Sequence, residues 1–171
     1  MSTPGLRITN RVTTWTATLE PALLADIAAG LGASAPLDRL PRGEVRRWTY
    51  LIEAEQYEAL IIAWPAGTGL AMHDHDGSSA ALHIVSGQLR ERYLHPDGHV
   101  ETRWLRTGDT VSLPHDHNHE VINVDGVEAV SIHVYSPPLR EVEFRVDAEI
   151  TASNATDDVV NRLAHPAYGQ R

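Results

Sequence analysis

"MHDHDGSSAALHIVSG", residues 72–87, is the stretch on which the fold turns. His73 and His75 stand one residue apart, and His83 follows. On a strand, residues two apart face the same side, so His73 and His75 aim one way and Asp74 the other. That geometry suits two ligands on one ion, and imidazole is often given a metal or a proton to hold. Ser86-Gly87 reads as the corner of a β-hairpin. Taken alone, the pair reads equally well as a polar edge strand with solvated imidazoles.

Outward from this stretch the chain is built of short β segments. Runs rich in valine, isoleucine, tyrosine and tryptophan predict strands near Arg47–Ile52, Tyr57–Trp64, Ala80–Ser86, Gln88–Leu94, Val100–Leu105, Thr110–Leu113, Glu120–Asn123, Ala129–Ser136 and Glu141–Arg145. Turn residues separate them at Pro65-Ala66-Gly67, His95-Pro96-Asp97-Gly98, Gly108-Asp109 and Asp125-Gly126. Many short strands at regular spacing imply a sandwich or small barrel. Upstream, "LEPALLADIAAGLG" (19–32) carries Leu23, Leu24, Ile27, Ala28 and Leu31 at helical period, with Pro21 suited to the first turn. The expected organisation is one domain: residues 1–44 a tail and short helix, 45–145 the β core, 146–171 a C-terminal extension.

A second run, "GDTVSLPHDHNHEVIN" (108–123), echoes the first. Gly67, His73, His75 and Gly87 fit the pattern G-x5-H-x-H-x3,4-E-x6-G. Gly108, Pro114, His119 and Asn123 fit G-x5-P-x-G-x2-H-x3-N. The pair resembles the two motifs of the cupin superfamily, small β-barrels of jelly-roll or double-stranded β-helix type with a metal in the mouth. Two positions depart from it. The glutamate slot falls at Ser79 or Ala80, and the glycine of the second motif is Asp116. What remains is a three-histidine set, His73, His75 and His119, with no carboxylate. His115 and His117 lie in the same loop and compete for the third place; the spacing to Pro114 and Asn123 favours His119.

A three-histidine cupin site resembles that of the thiol dioxygenases, the cysteine dioxygenase family. "SIHVYSPP" (131–138) is similar to that family's S-x-H-x-Y-S-P-P run, in which serine, histidine and tyrosine form a relay beside the iron. Alternation on a strand sends Ser131, His133 and Tyr135 to one side. The resemblance also implies an arginine that clamps the substrate carboxylate. Counting back from Trp64, Arg47 falls near that place, with Arg46 beside it. Some relatives link a cysteine to the tyrosine; here that position is Ala80, so no such link forms at Tyr135. The implied activity is addition of both atoms of O2 to the sulfur of a small thiol, with L-cysteine first in line. The implied cofactor is Fe(II), although imidazole alone also admits nickel or zinc.

Composition narrows the alternatives. There is no cysteine, so disulfides, thiolate ligands and a cysteine nucleophile are excluded. The net charge of −9 argues against nucleic acid and anionic membrane surfaces. No apolar run approaches the roughly 20 residues of a spanning helix, and "MSTPGLRITNRVTTW" has no apolar signal core, so a cytoplasmic location is expected. Two other classes stay open: a different three-histidine cupin oxidase, and a binding module whose metal does no chemistry. Oligomeric state is not legible.

Overall fold

A computed structural model describes residues 18–40 and 43–139. The predicted strand Glu141–Arg145 and the C-terminal extension lie outside the described residues. Helix α1 (Pro21–Gly32) is followed by a short 3-10 turn (Leu37–Arg39) and nine strands. These are β1 (Arg47–Glu53), β2 (Glu58–Trp64), β3 (Gly69–His73), β4 (Ser79–Ser86), β5 (Gln88–Leu94), β6 (Val100–Arg106), β7 (Thr110–Leu113), β8 (Asn118–Ile122) and β9 (Ala129–Ser136). All pairing is antiparallel. One sheet has the order β1-β2-β9-β4-β7 and the other β3-β8-β5-β6. β3 was not among the predicted strands. It is short, begins on a glycine, and its register against β8 shifts between Leu70 and His73.

Period-2 alternation explains how the larger sheet is covered. Leu60, Ile62 and Trp64 of β2, Ala80, Leu82 and Ile84 of β4, and Ala129 and Tyr135 of β9 join one core with Leu89, Leu105, Leu113 and Val121. The alternate residues Ala59, Ile61, Ala81, Val130, Ile132 and Val134 form a second core with Leu24 and Ala28 of α1. β2 and β9 are therefore apolar on both faces and read as continuous hydrophobic runs, because a helix covers one side and the facing sheet the other. Each fully buried leucine or isoleucine here is worth about 1.5–3 kcal/mol relative to exposure. Leu23, which the helical period also admits, is 47% exposed and does not join the apolar stripe.

One detail corrects the sequence reading. Ser86-Gly87 is a corner but not a hairpin: β4 pairs with β7 and β9, whereas β5 pairs with β6 and β8. The chain crosses between sheets there. Gly87 has φ 75°, and a Cβ on it would fall 2.9 Å from the Ala129 backbone, so glycine is required. His83 faces outward beneath α1, where its Nδ1 lies 2.8 Å from Thr110 Oγ1. It takes no part in the pocket between the sheets.

The two motif runs are stitched together at one edge. The Gly67 N–H donates to Asn123 O at 2.8 Å, and the Asn123 N–H donates to Thr68 O at 2.9 Å. The fully buried Asn123 side chain donates to Trp64 O and Val127 O, both at 2.7 Å, and accepts from the Asp125 N–H. It fixes the loop that leads into β9.

Candidate metal centre

His73 ends β3 and pairs directly with His119 on β8. His75 lies two residues on. All three rings are buried, and one donor atom from each lies within 4.8 Å of the other two. Ring centroids are 4.7 Å apart for His73–His119, 5.0 Å for His75–His119 and 5.3 Å for His73–His75. His75 reaches the cluster by a turn and not by strand alternation, because β3 has already ended. Asp76 adopts φ 49° with its N–H on Asp74 Oδ1, and the Ser78 N–H donates to His75 O. Aspartate tolerates this left-handed backbone better than most residues.

The hydrogen bonds behind the rings assign their lone pairs. His73 Nδ1 lies 2.7 Å from Ala71 O, which only accepts, so that nitrogen carries the proton and Nε2 the lone pair. His119 Nδ1 donates to Glu91 Oε1 at 2.7 Å, which again leaves Nε2 as the lone pair. His75 Nε2 stands 3.2 Å from His119 Nε2, and His75 Nδ1 is buried with no hydrogen-bond partner. Burial, reinforced by the neighbouring imidazoles, holds His73 and His75 well below the ordinary histidine pKa. His119 is also lowered, chiefly by burial, with Glu91 opposing. Three neutral, convergent imidazoles with a stranded buried nitrogen form a donor set that fits a divalent transition-metal ion.

Beside this cluster, β9 presents a line of polar groups. Tyr135 packs against His75 with ring centroids 5.3 Å apart. His133 Nδ1 lies 3.0 Å from Tyr135 Oη, and His133 Nε2 lies 3.0 Å from Ser131 Oγ. The line continues to Trp64, whose Nε1–H donates to Ser131 Oγ at 2.8 Å. Burial, with His119 and Arg46 nearby, pushes His133 down to about 3, so its ring is neutral.

The sequence profile of the family described as cysteine dioxygenase type I matches residues 43–145. The chain belongs to this family. Cysteine dioxygenase type 1 of Danio rerio is 32% identical over 95 residues, which are 50% of this chain and 47% of the relative. The chain thus spans about half the length of the relatives it matches. Among solved structures, TT1209 from Thermus thermophilus superposes with a TM-score of 0.52 at 23% identity, covering 60% of this chain and 94% of that one. A conserved protein with a double-stranded β-helix domain from Klebsiella pneumoniae gives 0.53 at 14% identity, covering 63% and 90%. At these identities the likeness fixes the fold, the cupin double-stranded β-helix.

Within this cysteine dioxygenase-family chain, the two arginines part company. Arg47 bonds Glu128 Oε2 at 2.6 Å and the carbonyls of Gly43 and Val45, which occupies its guanidinium away from the three rings. Arg46 lies with its guanidinium 5.3 Å from the Trp64 ring and 5.7 Å from that of Trp48, and its charge reaches His73 and His133. The rival histidines also separate. His115 is exposed, and His117 is half-buried with its Nε2 3.0 Å from Glu91 Oε1.

Glu91 and Trp64 were not singled out from sequence as site residues. Glu91 lies in "QLRERYL", which looks like a polar edge strand, yet it is fully buried. Alternation from the core residue Leu89 is the signal that places it inward. Burial alone would raise its pKa. The bonds from His117, His119 and Arg103 overcome that and hold the carboxylate ionised far below the usual range. Trp64 reads as core, and only the tertiary structure brings its N–H to Ser131.

Proposed function

We propose that this chain is a mononuclear Fe(II) thiol dioxygenase that converts a small thiol, foremost L-cysteine, to its sulfinate. The single observation that carries this is the adjacency of a three-imidazole cluster and the Tyr135–His133–Ser131 line on the facing strand. His73, His75 and His119 would hold the ion. Three neutral ligands would leave its full charge in place, and Fe(II) held there would supply the chemistry that joins dioxygen to a thiolate. Both oxygen atoms end on sulfur, and the thiol supplies the electrons, so no external reductant is needed.

The chain's own groups have definable tasks. Trp64 can only donate, so Ser131 Oγ accepts its N–H. Among the described residues, the other partner of Ser131 is His133 Nε2, which therefore receives the serine proton. Neutral His133 then carries its own proton on Nδ1 and donates to Tyr135 Oη. The tyrosine proton is therefore not shared with His133, and the Tyr135 hydroxyl, whose ring packs against His75, is the group assigned to orient the reacting oxygen or a substrate carboxylate once substrate is bound. Arg46, whose charge extends to His73 and His133, is better placed for a carboxylate clamp than Arg47, whose bonds go to Glu128, Gly43 and Val45.

The test is an oxygen-electrode screen of cysteine, 3-mercaptopropionate, cysteamine and mercaptosuccinate on iron-loaded protein. Consumption of O2 with a product heavier by two oxygens is the expected result. Ligand binding without oxygen uptake by any of these thiols would instead identify a metal-containing binding protein.

A further inference from the structure

The β5–β6 hairpin runs past the pocket, and its far end carries a second cluster. The register pairs Leu89 with Leu105, Glu91 with Arg103 and Tyr93 with Glu101. One step beyond the last pair, the His95 N–H donates to His99 O at 2.9 Å and closes the turn. Alternation therefore puts Tyr93, His95, His99 and Glu101 on the same hairpin face as buried Glu91. The His95 and His99 rings stack, with centroids 3.9 Å apart and planes 10° from parallel. Glu101 Oε2 lies 3.1 Å from His95 Nε2, and Asp97 Oδ1 lies 2.7 Å from His99 Nδ1. One donor atom each from His95, His99 and Glu101 falls within 4.8 Å of the other two.

We propose that this hairpin end is a second metal site, taking a divalent ion of the zinc or nickel class through His95, His99 and Glu101, with Asp97 orienting the His99 ring. The donor set selects the ion class. Two imidazoles and a carboxylate favour zinc, nickel or copper over magnesium or calcium, which prefer oxygen alone. Charge supports it: with neutral rings the two carboxylates leave the cluster at −2, which a divalent ion neutralises. The backbone supports it too, because the turn fixes which residues face each other before any ion arrives. A carboxylate on the second nitrogen of a liganding imidazole is a recurrent arrangement that fixes ring orientation.

The two sites are separate but connected by packing. Tyr93 packs at a tilt against both His95 (ring centroids 4.8 Å apart) and His117 (5.3 Å), and His117 shares Glu91 with His119. An ion at the hairpin end would thus brace the strands that carry Glu91 and Arg103.

Calorimetric titration of chelator-stripped full-length protein with Zn2+ tests this. Wild type should take two equivalents. His99→Gln and Glu101→Gln should each lose one and keep the other, with unchanged far-UV circular dichroism. Asp97→Asn should keep both equivalents and weaken one about tenfold. His119→Asn should lose the pocket equivalent and retain the hairpin one. Two equivalents surviving in His99→Gln, or a single equivalent indifferent to that change, would overturn the proposal. A single equivalent lost in His99→Gln would support the hairpin site and count instead against the pocket.

Discussion

His119 Nδ1 donates to Glu91 Oε1 at 2.7 Å, a buried carboxylate held behind a buried candidate ligand. The bond fixes the tautomer that leaves Nε2 facing His75. Glu91→Gln keeps the shape but removes the charge. Metal affinity, measured by chelator competition, should fall about 10–100-fold. Glu91→Ala should in addition cost about 1–3 kcal/mol in urea unfolding, because the buried His119 Nδ1–H loses its acceptor. Wild-type affinity in Glu91→Gln would remove this residue from the site.

His119→Ala should lose most of the bound metal at the pocket, whereas His117→Ala should keep it. Elemental analysis of protein carrying His99→Gln, which silences the hairpin cluster, reads the pocket alone. Retained stoichiometric metal in His119→Ala would point to another ligand.

Trp64→Phe removes the donor to Ser131 and retains an aromatic ring in the core. Turnover should fall about tenfold at unchanged metal content, and Tyr135→Phe should do the same. Because both act on one hydrogen-bonded line, the double variant should be little worse than Tyr135→Phe alone. Independent, multiplicative losses would show that Trp64 acts through packing and not through the relay.

Arg46→Gln should raise KM for thiols that carry a carboxylate and leave cysteamine, which has none, unaffected. Arg47→Gln should mainly reduce stability, since its bonds go to Glu128, Gly43 and Val45. The reverse pattern in steady-state kinetics would return the clamp to Arg47.

A Cβ at Gly32 would fall 2.2 Å from the His83 ring, which Thr110 holds from the other side. Gly32→Ala should therefore destabilise the protein by about 1–3 kcal/mol through overpacking. Thermal unfolding should show the loss, metal content should not change, and His83→Ala should restore part of it.

The local signals in the sequence were strong wherever one short-range rule sufficed. Among the described residues, alternation and turn residues located eight of the nine strands (β1, β2 and β4–β9) and the helix, and spacing to Gly67, Pro114 and Asn123 singled out His73, His75 and His119, which converge. Pairing was not legible, because hydrogen bonds between strands distant in the chain leave no mark within either one. Ser86-Gly87 is therefore a visible corner whose destination, the other sheet, had to be seen. Side-chain contacts between strands paired within one sheet were hidden for the same reason: Glu91 of β5 behind His119 of β8, and Trp64 of β2 on Ser131 of β9, as was the placing of Arg46 rather than Arg47 near the imidazoles. The order of residues set which groups face inward along each strand. Only strand pairing and the packing of the two sheets decided which of those groups touch, since contact between distant segments depends on register and twist that no local pattern encodes.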